Sequence, residues 1–155
     1  MKKIILILSI IFSAQAHSDD LFDNLLSNLG APLSEIGFNK KLTRSSDGVE
    51  IVYYEKGAGN KTLLFIHGYG CNSKYWWAQL QHFSKNYRVI SIDIGGHGES
   101  GTNRNNYTMA NFGADVVAVM NEENIKQSYL IGHSMGGPVA LEAAVILQDR
   151  ITAII

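Results

Sequence analysis

The stretch at residues 129–137, Tyr-Leu-Ile-Gly-His-Ser-Met-Gly-Gly, constrains the fold of this chain more than any other. It reads as a short apolar strand, then a serine at position 134 with a glycine two residues away on each side, then a helix that begins at once. Gly132 and Gly136 predict a turn in which neighbouring backbone comes too close for a side chain. Such a turn strains the backbone of Ser134 and pushes its hydroxyl out above the strand end. The pattern therefore indicates a candidate nucleophile.

The composition excludes several classes of protein. The chain has 155 residues, a formal net charge of -1 and 46% hydrophobic residues, which predicts one soluble globular domain with a real core. No block of basic residues suggests a nucleic-acid partner. Cys71 is the only cysteine, so neither an internal disulfide nor a thiolate metal cluster can form. The histidines lack the spacing of metal ligands, and we expect no metal site.

The amino terminus has the pattern of a secretory signal. Lys2 and Lys3 precede an apolar run at residues 4–12, and Ala14-Gln15-Ala16 supplies the small residues that a signal peptidase recognises. The run is shorter than the ~20 residues of a membrane span. We therefore expect residues 1–16 to be a signal peptide cleaved after Ala16, and the mature protein to be secreted or periplasmic without a stable membrane span. A short membrane-tethering helix is the alternative.

The rest of the chain alternates between strand and helix patterns. Residues 17–40 are predicted to be an extension with a short amphipathic helix, which Gly30 and Pro32 end. A hairpin around Asp47-Gly48 follows. The predicted strands are 41–44, 49–55, 62–66, 87–92, 129–131 and 151–155, and the predicted helices are 74–83, 109–120 and 138–147.

This alternation predicts an α/β fold, a three-layer sandwich with a mostly parallel sheet and helices on both faces. Ligands on such sheets bind beyond the carboxyl ends of the strands. Glycine-rich loops follow Ile66, Ile92 and Ile131 at those ends. We expect the three loops to converge on one site.

Three motifs together resemble the α/β-hydrolase superfamily, in its serine-nucleophile branch of lipase, esterase and peptidase-like members. His67-Gly68-Tyr69-Gly70 is similar to the oxyanion loop of that family, the stretch from Asp93 to Ser100 to its D-x-x-G-H-G-x-S loop, and the stretch from Gly132 to Gly137 to its nucleophile elbow. The resemblance extends over residues 41–155, which would be the amino-terminal part of such a domain.

The resemblance implies a role for each matching residue. Ser134 would be the nucleophile, and the backbone N–H groups of Tyr69 and Met135 would form the oxyanion hole. The loops would be supported by the following residues: His67, Gly68, Gly70, Asp93, His97, Gly132 and Gly136. The reaction would need no cofactor, and its substrate would be a small molecule. The oligomeric state and the substrate are left open.

The sequence departs from the family in one respect. The family's chain order is serine, then acid, then histidine. Here the sequence ends at Ile155, and none of its histidines follows Ser134. We therefore expect an α/β-hydrolase fold truncated after the strand that follows the elbow, with the triad acid and histidine missing from this chain. We expect His67 and His133 to hydrogen-bond loop backbone instead.

These observations predict a serine hydrolase that cleaves an ester, thioester or amide bond through an acyl-enzyme on Ser134. One alternative is an inactive fragment, a pseudoenzyme or a binding remnant, because two members of the triad are absent. Another is a carbon–carbon bond hydrolase of the same fold.

Overall fold

A six-stranded sheet forms the centre of the protein in the computed structural model, which describes residues 31–155. The strands are β1 (Asn39–Arg44), β2 (Glu50–Lys56), β3 (Thr62–Ile66), β4 (Arg88–Ile92), β5 (Ser128–Gly132) and β6 (Ile151–Ile154). The helices are α1 (Trp77–Phe83), α2 (Met109–Glu122) and α3 (Gly136–Leu147), with 3-10 turns at Ser73–Trp76 and Gln148–Arg150. The signal peptide and the amphipathic helix predicted for residues 1–30 lie outside the described residues.

The strand order is β1-β2-β4-β3-β5-β6, so β4, β3 and β5 lie side by side. β1 pairs with β2 and β2 with β4 in antiparallel fashion, whereas β4, β3, β5 and β6 are parallel. The predicted α/β fold with a mostly parallel sheet is therefore confirmed. Because β3 lies between β4 and β5, the loops after these three strands meet at one edge of the sheet.

Both faces of the sheet are buried, as β3 shows. Leu64 and Ile66 pack in one cluster with residues of α2 and α3, and Leu63 and Phe65 pack in a second cluster with residues of the 3-10 turn and α1. Successive side chains of a strand point to opposite faces, so an unbroken apolar run can supply two cores. This arrangement gives the three layers that the alternating pattern predicts.

The helix predicted at residues 74–83 differs in its first turn. Residues Ser73–Trp76 form a 3-10 turn, and the α-helix begins only at Trp77. Asn72 caps the turn by accepting a hydrogen bond from the N–H of Lys74 at 3.0 Å. The N–H of Ser73 donates to Asp93 at 2.6 Å, and its carbonyl accepts from the Ser91 hydroxyl at 2.9 Å. These contacts with the end of β4 fix the turn before the helix begins.

None of the helices found within residues 31–155 is long and apolar enough to cross a membrane.

Candidate active site

Ser134 lies in the tight turn between β5 and α3. Its φ of +52° falls in the left-handed region, which a residue with a side chain rarely occupies and which costs about 1–3 kcal/mol. A Cβ atom at Gly132 would lie 2.4 Å from the carbonyl oxygen of Gly136, and one at Gly136 would lie 2.3 Å from that of Ile66. The two glycines thus permit the close approach that holds Ser134 in this conformation, and Ser134 is exposed.

The loop after β3 packs against this turn. The N–H of His133 donates to the carbonyl of Ile66 at 3.1 Å. A Cβ atom at Gly68 would lie 3.3 Å from the Cβ of Ser134, so the backbone of residues 68–70 passes beside the serine. Gly70 has a φ of +70°, a conformation that favours glycine. In the part of the chain that the structure describes, the N–H groups of Tyr69 and Met135 donate to no other residue.

His67 joins this loop to the loop after β4. Its side chain is fully buried, with Nδ1 2.8 Å from the carbonyl oxygen of Gly68. Its Nε2 accepts a hydrogen bond from the N–H of Ile94 at 3.3 Å. These partners assign the proton to Nδ1. Burial lowers the pKa of His67, so the ring stays neutral, and both ring nitrogens are already engaged with backbone.

Asp93 fixes the loop after β4. Its buried carboxylate accepts hydrogen bonds from the N–H of Ser73 at 2.6 Å and from that of Glu99 at 2.9 Å. A Cβ atom at Gly98 would lie 2.2 Å from this carboxylate, so the loop closes directly on it. The Ser100 hydroxyl donates to the Asp93 carbonyl. The carboxylate of Asp93 therefore holds backbone rather than a histidine.

His97 lies in the same loop and faces the loop after β3. Its ring centroid is 5.2 Å from that of His67 and 6.0 Å from that of Tyr69. Its Nδ1 is 3.3 Å from the carbonyl oxygen of Gly95. His97 thus packs between the two loops, and its polar contact is with its own loop.

The structure therefore brings together the residues that the sequence singles out. Ser134, Tyr69 and Met135 stand at the carboxyl ends of β5 and β3, and the ring of His97 packs against the rings of Tyr69 and His67. The polar contacts of the two rings are with backbone, so neither histidine binds the Ser134 hydroxyl. Within residues 31–155, no group of three or more potential ligands could hold a metal ion.

An ion-pair network centred on the buried Arg104 and Asp115 holds the loop after β4 and was not found from the sequence. Arg104 binds Asp115 at 2.5 and 3.0 Å and Asp47 at 2.7 and 3.2 Å. Asp115 also accepts a hydrogen bond from the N–H of Gly95 at 2.9 Å. Burial alone would lower the pKa of Arg104, but its hydrogen bonds to the two aspartates raise it. The hydrogen bond from Arg104 in turn lowers the pKa of Asp47.

One signal in the sequence could have revealed this network. Asp115 occupies the same helical face of α2 as Phe112 and Val119, which are buried. A carboxylate on the apolar face of a helix requires a buried partner. The identity of that partner depends on the tertiary fold, because Arg104 lies in a loop with no regular pattern.

An aromatic contact beside Ser134 was also missed. The ring of Tyr75 stacks on that of His133, with centroids 4.7 Å apart and an interplanar angle of 25°. The expected hydrogen bond from the His133 ring to loop backbone is not made among the described residues, and stacking takes its place. The rings of Tyr75 and Trp76 meet edge to face, with centroids 5.2 Å apart.

Comparison with known proteins assigns the fold to a family. A family model described as the alpha/beta hydrolase fold matches residues 61–155. The chain belongs to this family.

Individual relatives match the chain over only part of their length. The dihydrolipoyllysine-residue acetyltransferase component of the acetoin cleaving system of Cupriavidus necator is 36% identical over 70% of this chain and 29% of its own length. The 3-oxoadipate enol-lactonase 2 of Acinetobacter baylyi is 31% identical over 76% of this chain and 45% of its own. A thermophilic esterase from Thermogutta terrifontis superposes with a TM-score of 0.69 and 27% identity, covering 75% of this chain and 44% of the esterase. The chain thus spans less than half of these relatives.

Proposed function

We propose that the intact protein is a serine hydrolase that cleaves an ester, thioester or amide bond through an acyl-enzyme on Ser134. The observation that carries this proposal is the positive φ of Ser134 in a turn between a parallel strand and a helix, with the residue exposed. Strain of this kind persists only where the surrounding structure enforces it, and it is concentrated at functional sites. Gly132 and Gly136 supply that enforcement.

In the proposed reaction, the Ser134 oxygen attacks the carbonyl carbon of the substrate. The negative charge that develops on the carbonyl oxygen is stabilised by the N–H groups of Tyr69 and Met135, which have no partner among the described residues. The serine proton passes through a base to the leaving alcohol, thiol or amine, and water then hydrolyses the acyl-enzyme.

The base is proposed to lie outside this sequence. His67 is buried and binds two backbone groups, and the Asp93 carboxylate accepts two backbone N–H groups. Neither side chain can turn toward Ser134 without losing the backbone hydrogen bonds that hold the loops of the site. The relatives extend well beyond the matched region, and a later segment of the intact protein would supply the acid and the histidine.

The names of two relatives support the bond type. One is a lactonase and one is an esterase, and a lactone is a cyclic ester. An ester substrate is therefore the first to test.

The experiment compares the intact protein with a Ser134→Ala variant in the hydrolysis of p-nitrophenyl acetate. We expect a burst of nitrophenol that matches the enzyme concentration, followed by slower turnover, and we expect both to fall to background in the variant. Ser46→Ala, at an exposed serine in the β1–β2 turn, is the matched control and should keep both phases. Full activity in Ser134→Ala would contradict the proposal. An inactive intact protein would favour a pseudoenzyme or binding remnant.

We also propose that residues 1–16 direct secretion and are removed after Ala16. The support is the sequence pattern of two lysines, an apolar run and small residues. Mass spectrometry of the protein recovered from its producing cells should show a mature chain that begins at His17. A protein that retains Met1 outside the cytoplasm would contradict the cleavage.

A further inference from the structure

We infer that Tyr69, Tyr75 and His133 form an aromatic subsite beside Ser134 that binds an aromatic ring in the acyl or the alcohol part of an ester. The inference rests on the proposed function, because it assigns a substrate class to the same site.

The first observation is the position of Tyr75. One face of its ring is stacked on His133, the residue that precedes Ser134. Within residues 31–155, nearly half of Tyr75 is nevertheless exposed, at 47%. A tyrosine that is stacked on one face and partly open can stack a second ring on the other. The partly exposed ring of Tyr75 therefore lies against the residue that precedes the nucleophile.

The second observation is the exposure of Tyr69. This residue follows Gly68, whose backbone passes beside Ser134, and within the described part of the chain it is 82% exposed. Its ring meets that of His97 edge to face, with centroids 6.0 Å apart at 80°. Tyr69 in the loop after β3 and Tyr75 in the 3-10 turn thus expose apolar surface near the serine, and such surface beside a reactive group is typical of a ligand site.

Three of the other tyrosines make the contrast, whereas Tyr87 and Tyr129, whose hydroxyls also have no partner among the described residues, pack against a core cluster. The hydroxyls of Tyr53, Tyr54 and Tyr107 donate to Glu123, Glu99 and the carbonyl of Thr102. Among residues 31–155, the hydroxyls of Tyr69 and Tyr75 have no such partner. Trp76, next in the chain, is only 8% exposed and packs on Phe65 in the core. Core packing therefore explains Trp76, whereas Tyr69 and Tyr75 belong to neither core cluster.

The test uses the intact protein and three esters: ethyl acetate, ethyl 3-phenylpropanoate with the ring on the acyl side, and 2-phenylethyl acetate with the ring on the alcohol side. Hydrolysis is followed by titration of the acid released. We expect one aromatic ester to have a higher kcat/KM than ethyl acetate, and the identity of that ester shows which side of the substrate binds the tyrosines.

Substitutions of Tyr75 test whether this residue causes the preference for an aromatic ester. In Tyr75→Ala and Tyr75→Leu, the ratio of kcat/KM for the preferred aromatic ester to that for ethyl acetate should fall about two- to tenfold, the contribution of one stacked ring pair. The loss should lie mainly in KM, because the ring is held equally in the ground state and the transition state. Tyr75→Phe keeps the ring and should keep the ratio. Tyr87→Ala is the matched control, because Tyr87 packs on Phe83 at the opposite end of β4.

Labelling of Ser134 by a fluorophosphonate separates the two proposals. If Ser134 is labelled but the protein shows no preference for an aromatic ester, or if the ratio is unchanged in Tyr75→Leu, the aromatic subsite is wrong and the proposed function stands. If Ser134 is not labelled in the unsubstituted protein, the proposed function and the subsite are both wrong. Tyr75→Leu decides if Tyr75→Ala does not fold.

Discussion

His67 illustrates how burial decides the role of a single residue. Its type and its place before a glycine-rich loop are compatible with a general base, but its ring is fully buried between two backbone groups. A proton added to Nε2 would break the hydrogen bond from Ile94 and place a charge where water cannot reach it. His67 is therefore suited to joining two loops as a neutral ring.

This environment makes stability depend on pH. The pKa of His67 is lowered by burial from its ordinary value of 6.5, so the unfolded chain binds a proton at a higher pH than the folded protein does. Stability is therefore fully present above about pH 6.5 and falls as pH decreases toward the folded-state pKa, by up to about 1.4 kcal/mol per pH unit.

Urea unfolding of the intact protein at pH 7.5, 6.5 and 5.5 measures this slope. His67→Gln removes the titrating group, and we expect a smaller slope between pH 6.5 and 5.5 than in the unsubstituted protein. Its absolute stability can differ without affecting the comparison. Equal slopes would show that His67 does not titrate differently in the two states.

The contact between the single residues Tyr75 and His133 could not be predicted from the sequence. Each residue lies in a segment whose structure the sequence indicates, but the two rings meet only because β5 lies beside β3. Residue type and local spacing carry no information about such a pair.

At the scale of elements, the turn after β5 was the most predictable part of the chain. Its glycines are close in sequence to the serine that they constrain, so the pattern and the geometry are both local. β3, a continuous apolar run, was predicted with its observed bounds, Thr62–Ile66. The 3-10 turn before α1 was not predicted, because Asp93 and Ser91, which hold it, belong to a distant strand end.

Two neighbouring glycines of the turn should respond differently to substitution. Gly136→Ala would place a Cβ atom 2.3 Å from the carbonyl oxygen of Ile66, and backbone atoms cannot move aside cheaply. We expect a loss of about 1–3 kcal/mol or more in the free energy of unfolding. Gly137→Ala meets nothing within 4 Å and should change stability by less than about 1 kcal/mol.

Thermal unfolding of both variants measures the difference. Gly136→Ala should melt several degrees below Gly137→Ala. If the two variants melt together, the close packing of the turn against β3 is not as described.

At the scale of the whole molecule, the Arg104 network connects parts that are far apart in sequence. Arg104 joins Asp47 in the β1–β2 turn to Asp115 in α2, and Asp115 holds Gly95 in the loop after β4. The family, the α/β class and the convergence of the loops were predictable because the alternation of elements and three motifs encode them. The network was not predictable, because the pairing of its residues depends on the three-dimensional fold.

Breaking this network should be costly. Arg104→Met leaves the fully buried Asp115 without its ion-pair partner, and we expect a loss of about 3–5 kcal/mol in the free energy of unfolding. Arg44→Met is the matched control, because the Arg44–Glu50 pair is exposed with a distance of 3.8 Å, and it should cost about 1 kcal/mol or less. Chemical unfolding of both variants is the measurement, and similar losses would mean that Asp115 finds another partner.

The central claim is that Ser134 is the nucleophile of the intact protein. Its most direct test is mass spectrometry of the intact protein after reaction with a fluorophosphonate, with the adduct located by peptide sequencing. We expect one adduct per chain, on Ser134, and none in Ser134→Ala. An adduct on another residue, or an unmodified Ser134 in a folded intact protein, would contradict the claim.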